Sequence, residues 1–232
     1  LAQVANQELT IDPRRVAVRH GDSSLSPYGM GTFASRSMVM AGGAVSKACS
    51  QMAEKVKRIG AHLLGTEPGA VSLRDGAVWH CDKSVPFARV AEAAFLHPER
   101  LLGAEAPGLD VTVVYEPGCS TGAFAYATHA AMIAVDPDTG LVEILDYVVA
   151  HDCGTIVNPM IVEHQVIGGV AQGIGSALFE EIPYDAQGQP LASTFMDYLL
   201  PGAAEVPRIR VFHTETPSPH TTYGMKGMGE GG

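Results

Sequence analysis

The segment Met160–Glu181, MIVEHQVIGGVAQGIGSALFEE, constrains the fold of this chain more than any other stretch. Its apolar residues recur every four positions and predict one buried face of a helix that runs from about Val162 to Glu181: Val162, Val166, Val170, Ile174 and Leu178. The opposite face of the helix carries small and amide residues: Gln165, Gly168, Gly169, Gln172, Gly175 and Ser176.

Glycine is an unfavourable residue in the interior of such a helix. Counting Gly173, the predicted helix contains four glycines, and at roughly 1 kcal/mol each relative to alanine they cost about 3–4 kcal/mol. Close approach of a flat ligand or of another backbone would offset this cost. Gln165 and Gln172 lie two turns apart and would offer amide groups to the edge of a heterocycle. Tight packing of another helix against the glycines is an equally open alternative.

The rest of the chain mixes helices and strands, which predicts an α/β (α+β) fold with mixed sheets and packed helices. Apolar spacing predicts a helix over Val45–Leu63 that stops at Gly65, and a shorter helix over residues 85–95. Strands are predicted at residues 14–21, 69–80 (a hairpin), 109–117, 130–152 (a hairpin turning at Asp136–Gly140) and 208–215. No clear linker divides residues 1–232, although two lobes are possible.

Charge and composition exclude several classes of function. The net charge of −10 and the lack of a basic cluster argue against binding to nucleic acid or to an anionic membrane. No apolar run is long enough to span a membrane and residues 1–10 contain no export signal, so we expect a cytoplasmic protein. The four cysteines lie 32 to 38 residues apart and predict buried, reduced thiols, and with nine scattered histidines they predict no protein-ligated metal.

A second candidate site is GTFASRSMVMAGGAV at Gly31–Val45, where small and hydroxylic residues lead into the long helix. Helix N-termini present unpaired N–H groups and a partial positive charge. Such a terminus would hold a phosphate or pyrophosphate through four consecutive residues: Ala34, Ser35, Arg36 and Ser37. An ordinary serine cap followed by a turn would use the same residues without any ligand.

The chain ends on YGMKGMGEGG, in which a single carboxylate, Glu230, has four glycines within three positions: Gly227, Gly229, Gly231 and Gly232. Glycines at this density would let another group approach the carboxylate closely. In a site that excludes water, Glu230 would then act as a general base. A solvated tail is the competing interpretation, and composition alone favours it because glycine-rich ends are usually disordered.

These stretches occur together and in the order found in one known family. The chain resembles the molybdenum-binding large subunit of the molybdenum hydroxylases, the family of xanthine dehydrogenase, aldehyde oxidase and aerobic carbon monoxide dehydrogenase, and looks most similar to the carbon monoxide dehydrogenase branch. Six stretches carry the resemblance: GTFASRS, AVDPDTGLVEI, DCGTIVNPMIVEHQVIGG, FMDYLLPGAAEVP, TPSPH and KGMGEGG. They cover nearly all of this chain but only the C-terminal third or so of such a subunit.

The resemblance implies a Mo–molybdopterin cofactor, which is the cytosine dinucleotide form in most bacterial members. On that basis Ala34–Ser37 hold the phosphate end of the cofactor and Gln172 binds its pterin. Glu230 is then the catalytic general base, with Lys226 and Gly229 in the turn that flanks it. The resemblance also implies an iron–sulfur small subunit with [2Fe–2S] clusters and an FAD-containing medium subunit, assembled as a dimer of heterotrimers.

The implied reaction oxidises an aldehyde, an N-heterocycle or a CO-like small substrate, with water as the source of oxygen. The loop that distinguishes carbon monoxide oxidation, with its copper-binding cysteine, has no counterpart in these residues, and none of the four cysteines falls in its motif. Gln172 resembles the aldehyde and purine branches, since the carbon monoxide branch sometimes has an acidic residue there. The alternative function is a cofactor-free fragment or pterin-binding module, inactive without its N-terminal half and partner subunits.

Overall fold

The computed structural model describes residues 1–25, 29–101, 107–118 and 123–232. The chain forms two compact units. The first unit contains Leu1–Phe33 and Ser37–Gly118, and the second contains Ala34–Arg36 and Cys119–Gly232. Helices and two three-stranded sheets are mixed along the chain, which confirms the predicted α/β class.

The first unit is built on a 22-residue helix, α2 (Gly43–Leu64), where the sequence predicts one. Gly65 ends this helix in the left-handed conformation, with a φ of 69°. A single π-helical turn, Met38–Gly42, leads directly into α2. The short helix α1 (Ala2–Leu9) packs along α2, where the hydroxyl of Ser46 donates a hydrogen bond to a carboxylate of α1 at 2.8 Å.

A three-stranded antiparallel sheet covers one side of α2. Its elements are β1 (Ser72–Arg74), β2 (Ala77–His80) and β3 (Lys83–Pro86), and the predicted helix α3 (Phe87–Leu96) follows. The predicted hairpin is confirmed, since Asp75 and Gly76 form its turn with positive φ angles. Gly60 allows close packing of α2, because a Cβ there would lie 2.5 Å from Cγ2 of Val78. The core consists of Val56, Ile59, Val78, Val90, Ala93, Ala94 and Leu101.

Two strand predictions in the first unit are wrong. Residues 14–21 begin inside a 3-10 turn, Pro13–Arg15, which Asp12 caps by accepting from the backbone N–H of Arg14 at 3.0 Å. Residues 109–117 alternate between half-buried and exposed, as predicted, but they pair with no strand of the described residues. Alternation shows which face of an extended chain is buried, whereas a strand also needs a hydrogen-bonded neighbour that local sequence does not specify.

The predicted burial of the cysteines is confirmed only in part. Cys153 is buried and Cys49 is half-buried. Cys81 is exposed, which contradicts the prediction, because it lies in the tight turn between β2 and β3 where nothing covers it. Cys119 lies outside the described residues.

The second unit combines a sheet of order β4-β5-β6 with the helix α4. The strands β4 (Tyr126–Val135) and β5 (Val142–Asp152) form the predicted hairpin, and β6 (Ile209–Thr214) joins β5 in parallel. Parallel neighbours require a crossover connection, and α4 (Pro159–Leu178) is part of it. The helix packs on the sheet through one apolar cluster: Val149, Val166, Val170, Ile174 and Ile209.

The helix α4 begins as its sequence indicates. The side chain of Asn158 accepts from the backbone N–H of Ile161 at 3.1 Å, and Pro159 takes the first helical position. Four of the five predicted stripe residues are buried, and Leu178, which is 40% exposed at the end of the helix, is the exception. Among the described parts of the chain, none of the helices combines the length and apolar surface that a membrane span requires.

Candidate active site

Hydrogen bonds hold the glycine-rich residues 226–232 in a defined loop around Glu230, so the tail interpretation is wrong. The backbone N–H of Lys226 donates to the carbonyl of Cys153, just after β5, at 2.8 Å. The backbone N–H of Gly227 donates to the carbonyl of Ala123, just before β4, at 3.0 Å. Met225, the residue before this loop, is 1% exposed. The loop therefore starts from the buried interior of the second unit.

Ser35 and Glu230, which are 195 positions apart in the sequence, bind each other twice. The Ser35 hydroxyl donates to Oε2 of Glu230 at 3.0 Å and accepts from the Glu230 backbone N–H at 2.9 Å. The carboxylate is otherwise exposed, and its second oxygen, Oε1, has no hydrogen-bond partner among the described residues. Two predicted site residues thus come together, with one carboxylate oxygen available for chemistry.

The backbone around Ser35 is unusual. Ala34 and Ser35 have φ angles of 49° and 52°, a left-handed conformation that non-glycine residues rarely adopt. Such a residue costs of order 1–3 kcal/mol, and such residues cluster at ligand sites. Of the other predicted phosphate ligands, Arg36 is half-buried. Ser37 belongs to the first unit, where its hydroxyl lies 2.8 Å from that of Thr32 and does not cap the helix.

At two positions near Glu230, glycine is required because a side chain would clash with neighbouring atoms, and not because of the backbone conformation. Neither Gly227 nor Gly231 has a positive φ. A Cβ at Gly227 would lie 2.7 Å from the carbonyl oxygen of Ser35. A Cβ at Gly231 would lie 2.3 Å from Nε2 of His151. The loop that carries Glu230 is therefore in close contact with its neighbours on both sides of the carboxylate.

Lys226 anchors the start of this loop. Its ammonium lies 3.0 Å from Oδ1 of Asp152 and 4.6 Å from the ring centroid of Tyr126. The side chains of Lys226 and Asp152 are 10% and 0% exposed, so the pair is buried. A buried ion pair is strongly sensitive to the loss of one partner, because the remaining charge is left without compensation.

Asp152 is held in its ionised form. Burial by itself raises the pKa of Asp152. Hydrogen bonds from the backbone N–H of Gly154, from Thr216 and from the Lys226 ammonium outweigh the effect of burial, so the pKa lies far below its usual range. The Gly154 N–H lies 2.9 Å from Oδ1, and hydroxyls at the start of β4 and the end of β6 donate to Oδ2 at 3.2 and 3.1 Å. A carboxylate with this many donors anchors the loop and is a poor proton acceptor.

The two glutamines of α4 have different surroundings. The Gln165 side-chain amide donates to the carbonyl of Gly229 at 2.9 Å, so this residue positions the loop, which the sequence did not indicate. Gln172 is exposed, and its amide has no hydrogen-bond partner among the described residues. Gln172 lies one turn beyond Gly169, where the loop meets the helix, so it is on the same face of α4 as the loop.

The glycines of α4 divide into two pairs. A Cβ at Gly169 would lie 2.6 Å from Cα of Gly232, and one at Gly175 would lie 2.9 Å from the ring of Pro201. Close approach of the chain therefore explains these two positions. The other two glycines, Gly168 and Gly173, have no atom of the described residues within 4 Å of a Cβ. The surface beside Gln172 is thus open to a flat ligand.

Alanine substitutions should separate these pairs. We expect Gly169→Ala to destabilise the chain by about 1–3 kcal/mol, because the new Cβ meets the backbone of Gly232. Gly168→Ala should stabilise it by roughly 0.5–1 kcal/mol, because alanine is the better helix former and the space is open. Thermal unfolding of the purified variants measures both. Equal shifts in Tm would show that the contact with Gly232 contributes nothing.

The end of β5 has no predicted role of its own, although the stretch DCGTIVNP contributed to the resemblance. His151 is 1% exposed, and neither ring nitrogen has a hydrogen-bond partner among the described residues. Burial, and then the neighbouring His213, lower the pKa of His151 and favour the neutral ring.

The described residues contain no group of three His, Cys, Asp or Glu side chains that could hold a metal ion.

An anchored carboxylate, an exposed glutamine and an open helix face therefore lie together in the second unit of a mixed α/β fold. The family described as Molybdopterin cofactor-binding domain matches residues 1–207. The chain belongs to this family, and the predicted resemblance is confirmed.

Individual relatives agree with this assignment. The gamma subunit of the 6-hydroxypseudooxynicotine dehydrogenase complex from Paenarthrobacter nicotinovorans is 38% identical over 99% of this chain and 29% of its own length. The carbon monoxide dehydrogenase large chain of Hydrogenophaga pseudoflava is 34% identical over 99% of this chain and 28% of its own. The crystal structure of quinoline 2-oxidoreductase from Pseudomonas putida 86 matches 99% of this chain and 29% of its own with a TM-score of 0.86 and 39% identity. The chain thus spans less than a third of these relatives.

Proposed function

We propose that this chain is part of the large subunit of a molybdenum-dependent hydroxylase or dehydrogenase, with Glu230 as the general base. The observation that carries the proposal is the double hydrogen bond between Ser35 and Glu230. It joins Ser35, one of the predicted phosphate ligands, to the predicted base within the second unit. The relatives that support the proposal are named as dehydrogenases, hydroxylases and oxidoreductases.

The described residues suit a pterin cofactor. The exposed amide of Gln172 offers a donor and an acceptor to a heterocycle, and the open surface at Gly168 and Gly173 accommodates a flat ring. The left-handed backbone at Ala34 and Ser35, next to the guanidinium of Arg36, suits a phosphate group. A role of Ser37 in the same phosphate site stays a prediction.

The residues of the chain have distinct tasks in the proposed reaction. A bound molybdenum cofactor supplies Lewis acidity and accepts two electrons. Glu230 takes a proton at Oε1 from the water that provides the oxygen atom. Ser35 binds Oε2 and the Glu230 backbone, and so orients the free oxygen. Gln165 and the Lys226–Asp152 pair hold the loop in place while the proton moves.

The proposal extends to the cytosine dinucleotide form of the cofactor and to partner subunits with [2Fe–2S] clusters and FAD, in a dimer of heterotrimers. The names of the relatives, subunit gamma and large subunit, support the existence of partner chains. For the substrate, the relatives named for nicotine and quinoline support an N-heterocycle, with identities of 37% and 39%. Those named for carbon monoxide are 33% and 34% identical, so a CO-like substrate is the second candidate, and an aldehyde stays a prediction.

Metal and pterin analysis of the purified full-length complex tests the proposal. We expect stoichiometric molybdenum, and release of cytidine monophosphate on acid hydrolysis for the dinucleotide form. Gln172→Ala should lower the pterin content, because the amide contact is lost, while Gln187→Ala in an exposed turn should not. A folded complex without molybdenum or releasable pterin would contradict the proposal and favour the cofactor-free alternative.

A further inference from the structure

The strand β5 ends on two residues that contact the Glu230 loop on either side of the carboxylate. Asp152 pairs with Lys226, which precedes Glu230 in the loop. His151 faces Gly231, the residue directly after Glu230: a Cβ at Gly231 would lie 2.3 Å from Nε2 and 2.8 Å from Cδ2 of the ring. The ring therefore occupies the space that any side chain at position 231 would need.

The surroundings of His151 fix its ring. The residue lies in the central strand of the sheet, opposite Ala127 of β4 and His213 of β6. The rings of His151 and His213 meet edge to face, with centroids 6.2 Å apart and an interplanar angle of 88°. With 1% of its surface exposed, the His151 ring has no room to rotate away from a new group.

The contact between His151 and Gly231 is steric. Both ring nitrogens of His151 lack a hydrogen-bond partner among the described residues. Gly231 does not have a positive φ, so its backbone conformation is open to any residue. The ring makes the shortest contacts with a Cβ at position 231, and the backbone carbonyl oxygen of Met228 follows at 3.2 Å. The ring in turn limits how closely the loop can approach β5.

We propose that His151 is a positioning residue, whose ring sets the place of the Glu230 carboxylate through its contact with Gly231. The expected effect on turnover rests on the proposed role of Glu230 as general base, whereas the contact between His151 and Gly231 does not depend on that role. Gly231 directly follows Glu230 in the chain, so a displacement of Gly231 changes the geometry of the two hydrogen bonds by which Ser35 holds the Glu230 backbone and carboxylate.

Substitutions in the full-length holoenzyme test this proposal. Gly231→Ala forces the loop away from the ring, and because a displacement of 1 Å can reduce a rate about 100-fold, we expect kcat to fall by that order with KM within a factor of about three. Adding His151→Ala removes the ring and should restore at least about a tenth of the original kcat, since the new Cβ then has room. Gly69→Ala is the matched control, because a Cβ there meets nothing within 4 Å.

Thermal unfolding of the same variants provides a measurement that does not depend on activity. Gly231→Ala should lower Tm, and the double variant should have a higher Tm than the sum of the single shifts predicts. His151→Leu should keep a Tm at or above that of the parent, because it retains bulk and removes two unpaired nitrogens.

An additive double variant, or a Gly231→Ala variant with unchanged kcat and Tm, would overturn the proposal. If the full-length protein contains no molybdenum and has no turnover, the proposed function fails. In that case the coupling in Tm still decides whether His151 positions the loop.

Discussion

Glu230→Gln should retain the molybdenum content of the full-length enzyme and lose its turnover. Glutamine keeps the shape of the side chain and still accepts a hydrogen bond from Ser35, but an amide cannot take a proton from water. General bases contribute about 10²–10⁴-fold to a rate, so kcat should fall within that range. The measurement is steady-state turnover normalised to molybdenum.

Glu143→Gln provides the matched control, since this exposed glutamate lies in β5 outside the proposed site and should leave kcat unchanged. A Glu230→Gln variant that turns over at the parent rate would show that another group takes the proton. A variant that loses molybdenum would show that Glu230 acts in cofactor retention.

Lys226→Met should cause the largest loss of stability of any single change at the site. It removes one partner of an ion pair whose side chains are 10% and 0% exposed, and it leaves the Asp152 charge buried. Breaking such a pair typically costs 3–5 kcal/mol, so we expect about that loss in the free energy of unfolding, measured by denaturant titration at pH 7.

Lys57→Met is a suitable control, because its pair with Glu54 has the similar length of 2.8 Å but its side chains are 31% and 57% exposed. Such exposed pairs contribute about 0–1 kcal/mol. Equal losses for the two variants would mean that burial of the Lys226–Asp152 pair has no energetic consequence.

The same pair gives the stability a defined dependence on pH. The pKa of Asp152 is lowered in the folded state, so the unfolded chain binds the proton more readily. The stabilisation is therefore complete above the ordinary pKa of aspartate, about 4, and is lost as the pH falls below it towards the lowered pKa. This loss on acidification should be smaller in Lys226→Met, since the lysine contributes to the lowered pKa.

Local sequence correctly predicted the elements whose buried face follows from the spacing of apolar residues within the element. The helices α2 and α4 and both hairpins have the predicted extents to within a few residues, because apolar spacing and turn residues lie within each element. The strand predicted at residues 109–117 failed because a strand depends on a partner that is distant in sequence. Composition could not decide between a loop and a tail at Glu230 for the same reason: Ser35 is 195 positions away.

The contacts that support the candidate site were not predicted. Resemblance proposed Glu230, Gln172 and Ser35 as site residues, and their roles stay predictions, but it did not indicate that Gln165 binds the carbonyl of Gly229. The role of His151 is also invisible in the sequence, since a buried histidine without hydrogen bonds gives no local pattern. Both are tertiary contacts between side chain and backbone, which no spacing rule encodes.

The contact between His151 and Gly231 also constrains how this loop can evolve. A side chain larger than hydrogen at position 231 is better accommodated after the ring at position 151 has been replaced, because a Cβ placed there first would lie 2.3 Å from Nε2 of the ring. Substitutions at these two positions are therefore less damaging in one order than in the other. A lineage that carries both residues loses less stability and activity when it changes the strand before the loop beside its carboxylate.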